Sequence, residues 1–357
     1  MTGKLSSEVI VVGSGLIGLT VAAALAERGV DVSIIGEHRP GEASPASAGM
    51  LAPSIERAPG AAHQFGIAAR DRYPSYIEFL AERTGVKVPL NRLGILQVAL
   101  SEKGIKGLRK SALPTSRWLE PKELQHFEPA LPHALGAMFN AQDGAVDNTA
   151  LLQALEKLCS GSKWIGRIEG AVKSVAPTSD TCEVQVESGR RFSARRVVIA
   201  AGAWAGKISG ATFARAVKPS RGQLVSYSST PLRHVAYGPS GYLVPRGAIT
   251  ISGSTMEDVG FDAETTPAGV KKVRAAAEEI CPQLASSETR AWAGLRPVTP
   301  DLLPILGPDP QHPSLLYACG HSRNGVLMAP LTGDLIADLV TESPLNHDLS
   351  QFRPDRF

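Results

Sequence analysis

Residues 8–37 constrain the fold more than any other stretch. Glu8-Val9-Ile10-Val11-Val12 reads as a buried strand, and Gly13-Ser14-Gly15-Leu16-Ile17-Gly18 follows at once. A helix is expected over 16–28, with Ile17, Val21, Ala24 and Leu25 on one face. Gly29 is placed to end it, and 31–35 reads as a second strand. A GxGxxG held between a strand and a helix in a β-α-β unit points to a dinucleotide site. Gly13 allows the tight turn, Gly15 lets backbone approach a pyrophosphate, and Gly18 lets the helix pack against the strands. The helix start at Leu16 and Ile17 then offers free N–H groups and a positive dipole end to phosphates.

The rest of the composition mainly excludes. A chain of 357 residues is one large or two small domains. Its net charge of +3 makes no case for nucleic acid or an anionic membrane surface. No apolar run is long enough for an integral membrane segment, and residues 1–7 lack an apolar signal core. Cys159, Cys182, Cys281 and Cys319 are scattered, with no CxxC or Cys/His spacing. No metal is therefore expected, and a reducing, cytoplasmic location fits best.

Along the chain, 39–59 is rich in Gly, Ala, Ser and Pro and reads as a long loop or short helix near the cofactor. A strand is expected at 93–99 and a helix over 151–158. Residues 164–187 read as a pair of strands with a turn near 178–181. Residues 195–202 form a buried strand ending in small residues, which permit close approach of a ligand. Antiparallel strands are expected at 223–227, 241–245 and 249–252, an amphipathic helix at 267–280, and a last strand at 315–320. An apolar helix from about 326 to 340 follows. Rossmann-like and antiparallel segments alternate. The expected fold is α/β, a Rossmann-like dinucleotide-binding domain interleaved with an antiparallel-sheet α+β substrate domain. The first takes 1–87, 146–216 and 294–357; the second takes 88–145 and 217–293.

Four further segments narrow the family: Ala46-Ser47-Ala48-Gly49-Met50-Leu51, Val198-Ile199-Ala200-Ala201-Gly202-Ala203-Trp204, Trp292-Ala293-Gly294-Leu295-Arg296-Pro297 and Gly320-His321-Ser322-Arg323-Asn324-Gly325-Val326-Leu327. With the glycine fingerprint, and in the same order over nearly the whole chain, they resemble the D-amino-acid oxidase superfamily of FAD enzymes. The glycine oxidase (ThiO-type) branch is the nearest match. The resemblance implies FAD as cofactor. It assigns cofactor contacts to the loop residues Ala43, Ser44, Ala48, Gly49 and Met50, to Gly202 and Trp204, and to His321 through Leu327. Independently, a glycine-bracketed loop opening an apolar helix aims N–H groups at an anion; in this family the anion is the N1–C2=O edge of reduced flavin, facing Gly325, Val326 and Leu327. The family ends its second strand with an acid for the adenosine ribose. Counted from the fingerprint that place is Gly36, and the acid is Glu37. Either the strand runs one residue further or the ribose contact is altered, and Glu37 is our choice. Val172 resembles the place where backbone meets adenine. In the related monomeric sarcosine oxidases a cysteine before the segment matching Thr299-Pro300-Asp301 holds the flavin covalently. This chain has Gly294 near that place, so non-covalent FAD is expected.

A small amino acid offers a carboxylate, an amine and a Cα–H. A carboxylate calls for the planar fork of an arginine, and Arg296 matches the family's anchor. Tyr242 matches the tyrosine that lines the pocket, Met256 an apolar residue over the substrate, and Arg323 a residue reaching flavin or substrate. The implied reaction is hydride transfer from Cα to flavin N5 with the amine neutral and no dedicated base. The products are an imine or keto acid, ammonia and, with molecular oxygen, hydrogen peroxide. Glycine, sarcosine, small D-amino acids and cyclic imino acids all remain open as substrates. A dehydrogenase passing electrons to a quinone or partner subunit stays open beside the oxidase; a non-catalytic flavin-binding scaffold is opposed by Arg296 and Tyr242. The ThiO-type match hints at thiamine thiazole biosynthesis, and the family's frequent homotetramers make a homo-oligomer conceivable.

Overall fold

The computed structural model describes residues 7–357. One sheet has six strands in the order Ile305–Pro308, Leu315–Cys319, Arg196–Ile199, Val9–Val12, Val32–Gly36, Ile165–Glu169, parallel except for the first pair. Val9–Val12 is buried along its whole length, as a parallel strand covered on both faces must be. Alternation divides its side chains. Val9 and Val11 face a helical layer containing Leu19, Leu151 and Ile336. Ile10 and Val12 face the opposite layer, with Val184 and Tyr317. The helices Leu16–Glu27 and Gly325–Val340 approach so closely that a Cβ on Gly333 would sit 2.7 Å from the Thr20 carbonyl.

The second large sheet has eight strands in the order Thr289–Val298, Lys218–Tyr227, Ile249–Gly253, Tyr242–Arg246, Val235–Tyr237, Ile95–Val98, Ala137–Asn140, Arg117–Leu119. It is antiparallel except where Val235–Tyr237 meets Ile95–Val98. Helix Pro267–Ile280 buries Val273, Ala277 and Ile280 against it. A small sheet of Met50–Leu51, Gly144–Val146 and Leu90–Asn91 bridges the two cores. Leu51 and Val146 join the helical core, whereas Ala52 and Ala145 pack under the eight-stranded sheet.

The α/β architecture with an antiparallel companion sheet agrees with expectation, and local details differ for identifiable reasons. Segment 164–187 holds three strands, not a pair. Ile165–Glu169 adds to the open edge of Val32–Gly36, a non-local pairing with no period-2 signal of its own. Only Val172–Pro177 and Cys182–Val186 form the expected hairpin, joined by Arg191–Ala194 in a separate antiparallel sheet. The helix expected over 151–158 spans Asn148–Gly161, because Asp147 accepts from the N–H groups of Thr149 and Ala150 at 3.0 and 3.1 Å. The domain edges expected at 145/146 and 293/294 fall inside the strands Gly144–Val146 and Thr289–Val298. Thr289–Val298 pairs along its whole length within the eight-stranded sheet, and Gly144–Val146 lies in the small one.

The loop after Leu51 is fixed from below. Asp143, fully buried, accepts from Arg70 Nη1 at 3.0 Å, from Ser54 Oγ at 3.0 Å and from the Ser54 N–H at 3.2 Å. Removing one partner of a buried pair leaves the other charge uncompensated. Asp143→Ala is therefore expected to destabilise the fold by ~3–5 kcal/mol, read as a lower denaturant midpoint and melting temperature; an unchanged midpoint would mean the pair holds nothing in place.

Candidate active site

Loops at the carboxyl ends of four parallel strands line one cavity of about 580 Å³: Gly13–Leu16, Gly36–Glu37, Ala200–Gly202 and Gly320–Val326. This is where open α/β sheets bind ligands, and the volume is within the ~300–1,000 Å³ usual for cofactor sites. Two long helices, Leu16–Glu27 and Gly325–Val340, start at it. Neither N-cap, Gly15 or Asn324, caps its helix with a side chain, and neither first turn carries an acid. Their positive ends face the cavity.

At the fingerprint, Gly13 has φ +115°, and a Cβ there would meet the Ala200 carbonyl oxygen at 2.3 Å. Gly18 does not line the cavity and acts through packing: its Cβ would lie 1.9 Å from the Gly13 carbonyl oxygen. The Leu16 N–H donates to Ser44 Oγ at 2.9 Å, and Ile17 lines the cavity beside it. The second strand ends at Gly36, one residue later than expected, so Glu37 follows it directly and lines the cavity. Its carboxylate accepts from Arg39 Nε at 2.7 Å, and the Arg39 guanidinium lies 5.7 Å from the centre of the Trp204 ring. Val172 and Gly202 line the cavity as well. Arg39 escaped the sequence reading, because a surface arginine after a turn carries no signal of its own.

The small-residue loop is held by three donors from distant elements. Asn148 Nδ2 donates to the Ser44 carbonyl at 2.7 Å, Trp292 Nε1 to that of Ala46 at 2.9 Å, and Arg246 Nη2 to that of Ala48 at 2.8 Å. These bonds present Ala43, Ala48, Gly49 and Met50 to the cavity.

At the other end stands Arg296, on Thr289–Val298. Nη1 donates to the Thr255 carbonyl at 3.1 Å and Nη2 to Ser254 Oγ at 2.6 Å. No carboxylate pairs with it among the described residues, and burial pulls its pKa below the usual guanidinium value. The space it occupies is provided by Gly222 on the neighbouring strand, whose Cβ would fall 2.0 Å from Nη1. Tyr242 lines the same end, with its phenol raised by burial and so protonated. A Cβ on Gly253 would strike its hydroxyl at 2.4 Å. Tyr237 stacks on Tyr242 with ring centres 6.1 Å apart. Arg323 lines the cavity and pairs with Glu56, whose side chain is only 9% exposed. Glu56, Tyr237, Gly222 and Gly253 were not singled out in the sequence, since what marks them is proximity across strands.

One expected contact changes. Met256 does not line the cavity and is 55% exposed. Its neighbour Glu257 is drawn inward to Arg221, Nε to Oε2 at 2.6 Å, with reciprocal backbone bonds at 2.9 and 3.0 Å; alternation then turns Met256 outward. Leu327 buries its side chain in the helical core, and the contact expected of it is through its backbone N–H at the helix start. Gly18 packs, as described. His321, Ser322, Arg323, Asn324, Gly325 and Val326 do line it. His321 is bonded to Thr332 Oγ1 at 3.1 Å and is lowered by burial to about 3, hence neutral at ordinary pH. The buried Cys319 thiol is pushed up to about 12, far from the thiolate that covalent attachment needs.

Two uncapped helix starts, the glycine turn beside the first of them and an unpaired cation near the second fit a flavin dinucleotide with an anionic substrate beside its ring. A family model for FAD dependent oxidoreductases (DAO) matches residues 8–339. Glycine oxidase from Bacillus licheniformis is 30% identical, over 98% of this chain and 97% of its own length. The bifunctional protein ThiO/ThiG of a Nostoc species is 33% identical over 99% of this chain, which spans 55% of that protein; the chain is about half as long as the first curated relatives it matches. The crystal structure of glycine oxidase from Geobacillus kaustophilus superposes with a TM-score of 0.92 at 31% identity, covering 99% of both chains. The chain belongs to the DAO family of FAD-dependent oxidoreductases, and FAD is its cofactor.

Proposed function

We propose that this protein oxidises glycine, sarcosine or a small D-amino acid, releasing ammonia (or, from sarcosine, methylamine) and hydrogen peroxide. The observation that carries this reading is Arg296, a half-buried guanidinium held by neutral oxygens and facing the cavity. Its fork takes the substrate carboxylate through two charge-assisted hydrogen bonds. Ser254 and the Thr255 carbonyl fix its orientation, and the protonated Tyr242 hydroxyl donates to the same carboxylate. Held there, the Cα–H stays at one place in a site shielded from water. The chemistry FAD supplies when bound is acceptance of the hydride from Cα and delivery of that electron pair to O₂.

The balance is simple. Loss of hydride from Cα and of a proton from nitrogen turns the C–N bond into an imine. Water adds to it and the amine leaves, giving glyoxylate from glycine; two electrons and two protons reduce O₂ to H₂O₂. His321 is buried against Thr332 and Tyr242 is protonated, so neither takes the proton of an ammonium. The amine therefore enters neutral. In this reading the pieces 1–87, 146–216 and 294–357 hold the cofactor and 88–145 with 217–293 the substrate, and Arg296 reaches the substrate from the strand Thr289–Val298 that spans the 293/294 edge. No helix among the described residues is long and apolar enough to cross a membrane. The four cysteines are unpaired and buried, which supports a reducing compartment such as the cytoplasm.

Arg296→Ala is expected to lower kcat/KM for glycine by ~10²–10³-fold, the loss of a few kcal/mol of charge-assisted binding, while the protein stays yellow. Unchanged turnover would leave only a flavin-binding scaffold. Because the reactive amine is the neutral one, kcat/KM is expected to rise with pH, by about tenfold per unit below the substrate amine's pKa. No inflection is expected near pH 6.5, since His321 stays neutral there; such an inflection, seen in kcat/KM over pH 5.5–9, would assign it a proton-transfer role. Peroxide formation in air, compared with reduction of a dye under nitrogen, separates an oxidase from a dehydrogenase.

A further inference from the structure

The substrate end of the cavity carries two guanidiniums, and only one is free. Arg296 has neutral partners, whereas Arg323 is paired with Glu56. Both backbones of the pair are pinned. Glu56 closes a turn in which its N–H donates to the Ala52 carbonyl at 3.0 Å, and the turn is anchored by Ser54 on Asp143. Arg323 sits in a turn where the Ser322 N–H donates to the Pro297 carbonyl at 2.9 Å and the Asn324 N–H to that of His321 at 2.9 Å. Pro297 is the residue after Arg296, so the two cations are held on one continuous frame. Glu56 and Arg323 both act electrostatically on Arg296 and on Tyr242.

We propose that Glu56 sets the charge specificity of the site: by neutralising Arg323 it leaves one cationic anchor, so the site accepts amino acids with a single carboxylate and rejects those with a second. The proposal rests on the amino-acid oxidase reading above. A substrate with a second acid group, on nitrogen or on the Cα side chain, must separate Arg323 from Glu56 and then lie beside the freed carboxylate. That is repulsion built against the wrong ligand, as specific sites use. With Glu56 neutral, Arg323 becomes a second anchor facing the same cavity.

The test compares wild-type holoenzyme, Glu56→Gln and the double variant Glu56→Gln/Arg323→Gln. kcat/KM is measured for glycine and for two dicarboxylates, iminodiacetate and D-aspartate. Binding of acetate and succinate is followed through the flavin absorbance. A hydrogen bond to a charged group corresponds to roughly tenfold or more in an equilibrium. The dicarboxylate-to-glycine ratio of kcat/KM, and the succinate-to-acetate ratio of affinity, are expected to rise at least ~10-fold in Glu56→Gln and to return toward the wild-type value in the double variant. An unchanged ratio overturns the proposal, and so does a rise that persists without Arg323. If no monocarboxylate amino acid is oxidised by the wild type, the oxidase reading falls, and the acetate and succinate affinities still decide the charge rule.

Discussion

A half-buried cation with no acid paired to it is the constraint on which the substrate end is built. The Arg296 guanidinium is held by a serine hydroxyl and a peptide carbonyl, which satisfy N–H groups without cancelling charge. Burial of a lone cation is costly, and here that cost leaves the site ready for an anion. Everything around it serves the arrangement. Gly222 leaves the space for the guanidinium, Gly253 leaves the space for the Tyr242 ring, and Arg221 with Glu257 ties down the segment that carries Ser254 and Thr255.

The same strand that bears Arg296 couples the substrate end to the cofactor end. The Leu295 N–H donates to the Gly41 carbonyl at 2.8 Å, and the Pro297 carbonyl accepts from Ser322 at 2.9 Å. Thr289–Val298 thus touches the loop after the second parallel strand and the loop before the last helix. A strand paired along ten residues with Lys218–Tyr227 moves as a unit, so the distance between anchor and cofactor loops is set by sheet geometry rather than by loop conformation. That is the positional rigidity that a hydride transfer needs.

Charge is distributed with the same economy. The adenosine end pairs Glu37 with Arg39, the substrate end pairs Glu56 with Arg323, and the anchor Arg296 at that same end is unpaired among the described residues. Near the anchor the neutral side chains stay neutral for one physical reason. Burial raises the Tyr242 phenol and lowers the His321 imidazole, so at neutral pH the phenol keeps its proton and the imidazole is uncharged.

The order of residues along the chain by itself determined the fingerprint turn, the helix 267–280, the cofactor loop after the last strand and the identity of Arg296 and Tyr242. The first two are local signals, glycines at fixed offsets and a 3.6-residue period; the loop, Arg296 and Tyr242 stand out through motifs that resemble the family's. The tertiary structure alone decided what depends on neighbours distant in sequence. Ile165–Glu169 became a sheet edge because Val32–Gly36 left one open, and Met256 turned outward because Arg221 claimed Glu257. Gly222 takes on a role only because a guanidinium lies over it. Glu56 reads as an ordinary loop acid until the fold sets it against Arg323, 267 positions further along the chain. Local periodicity is written in successive residues, whereas the charge balance of a cavity arises only when remote segments meet.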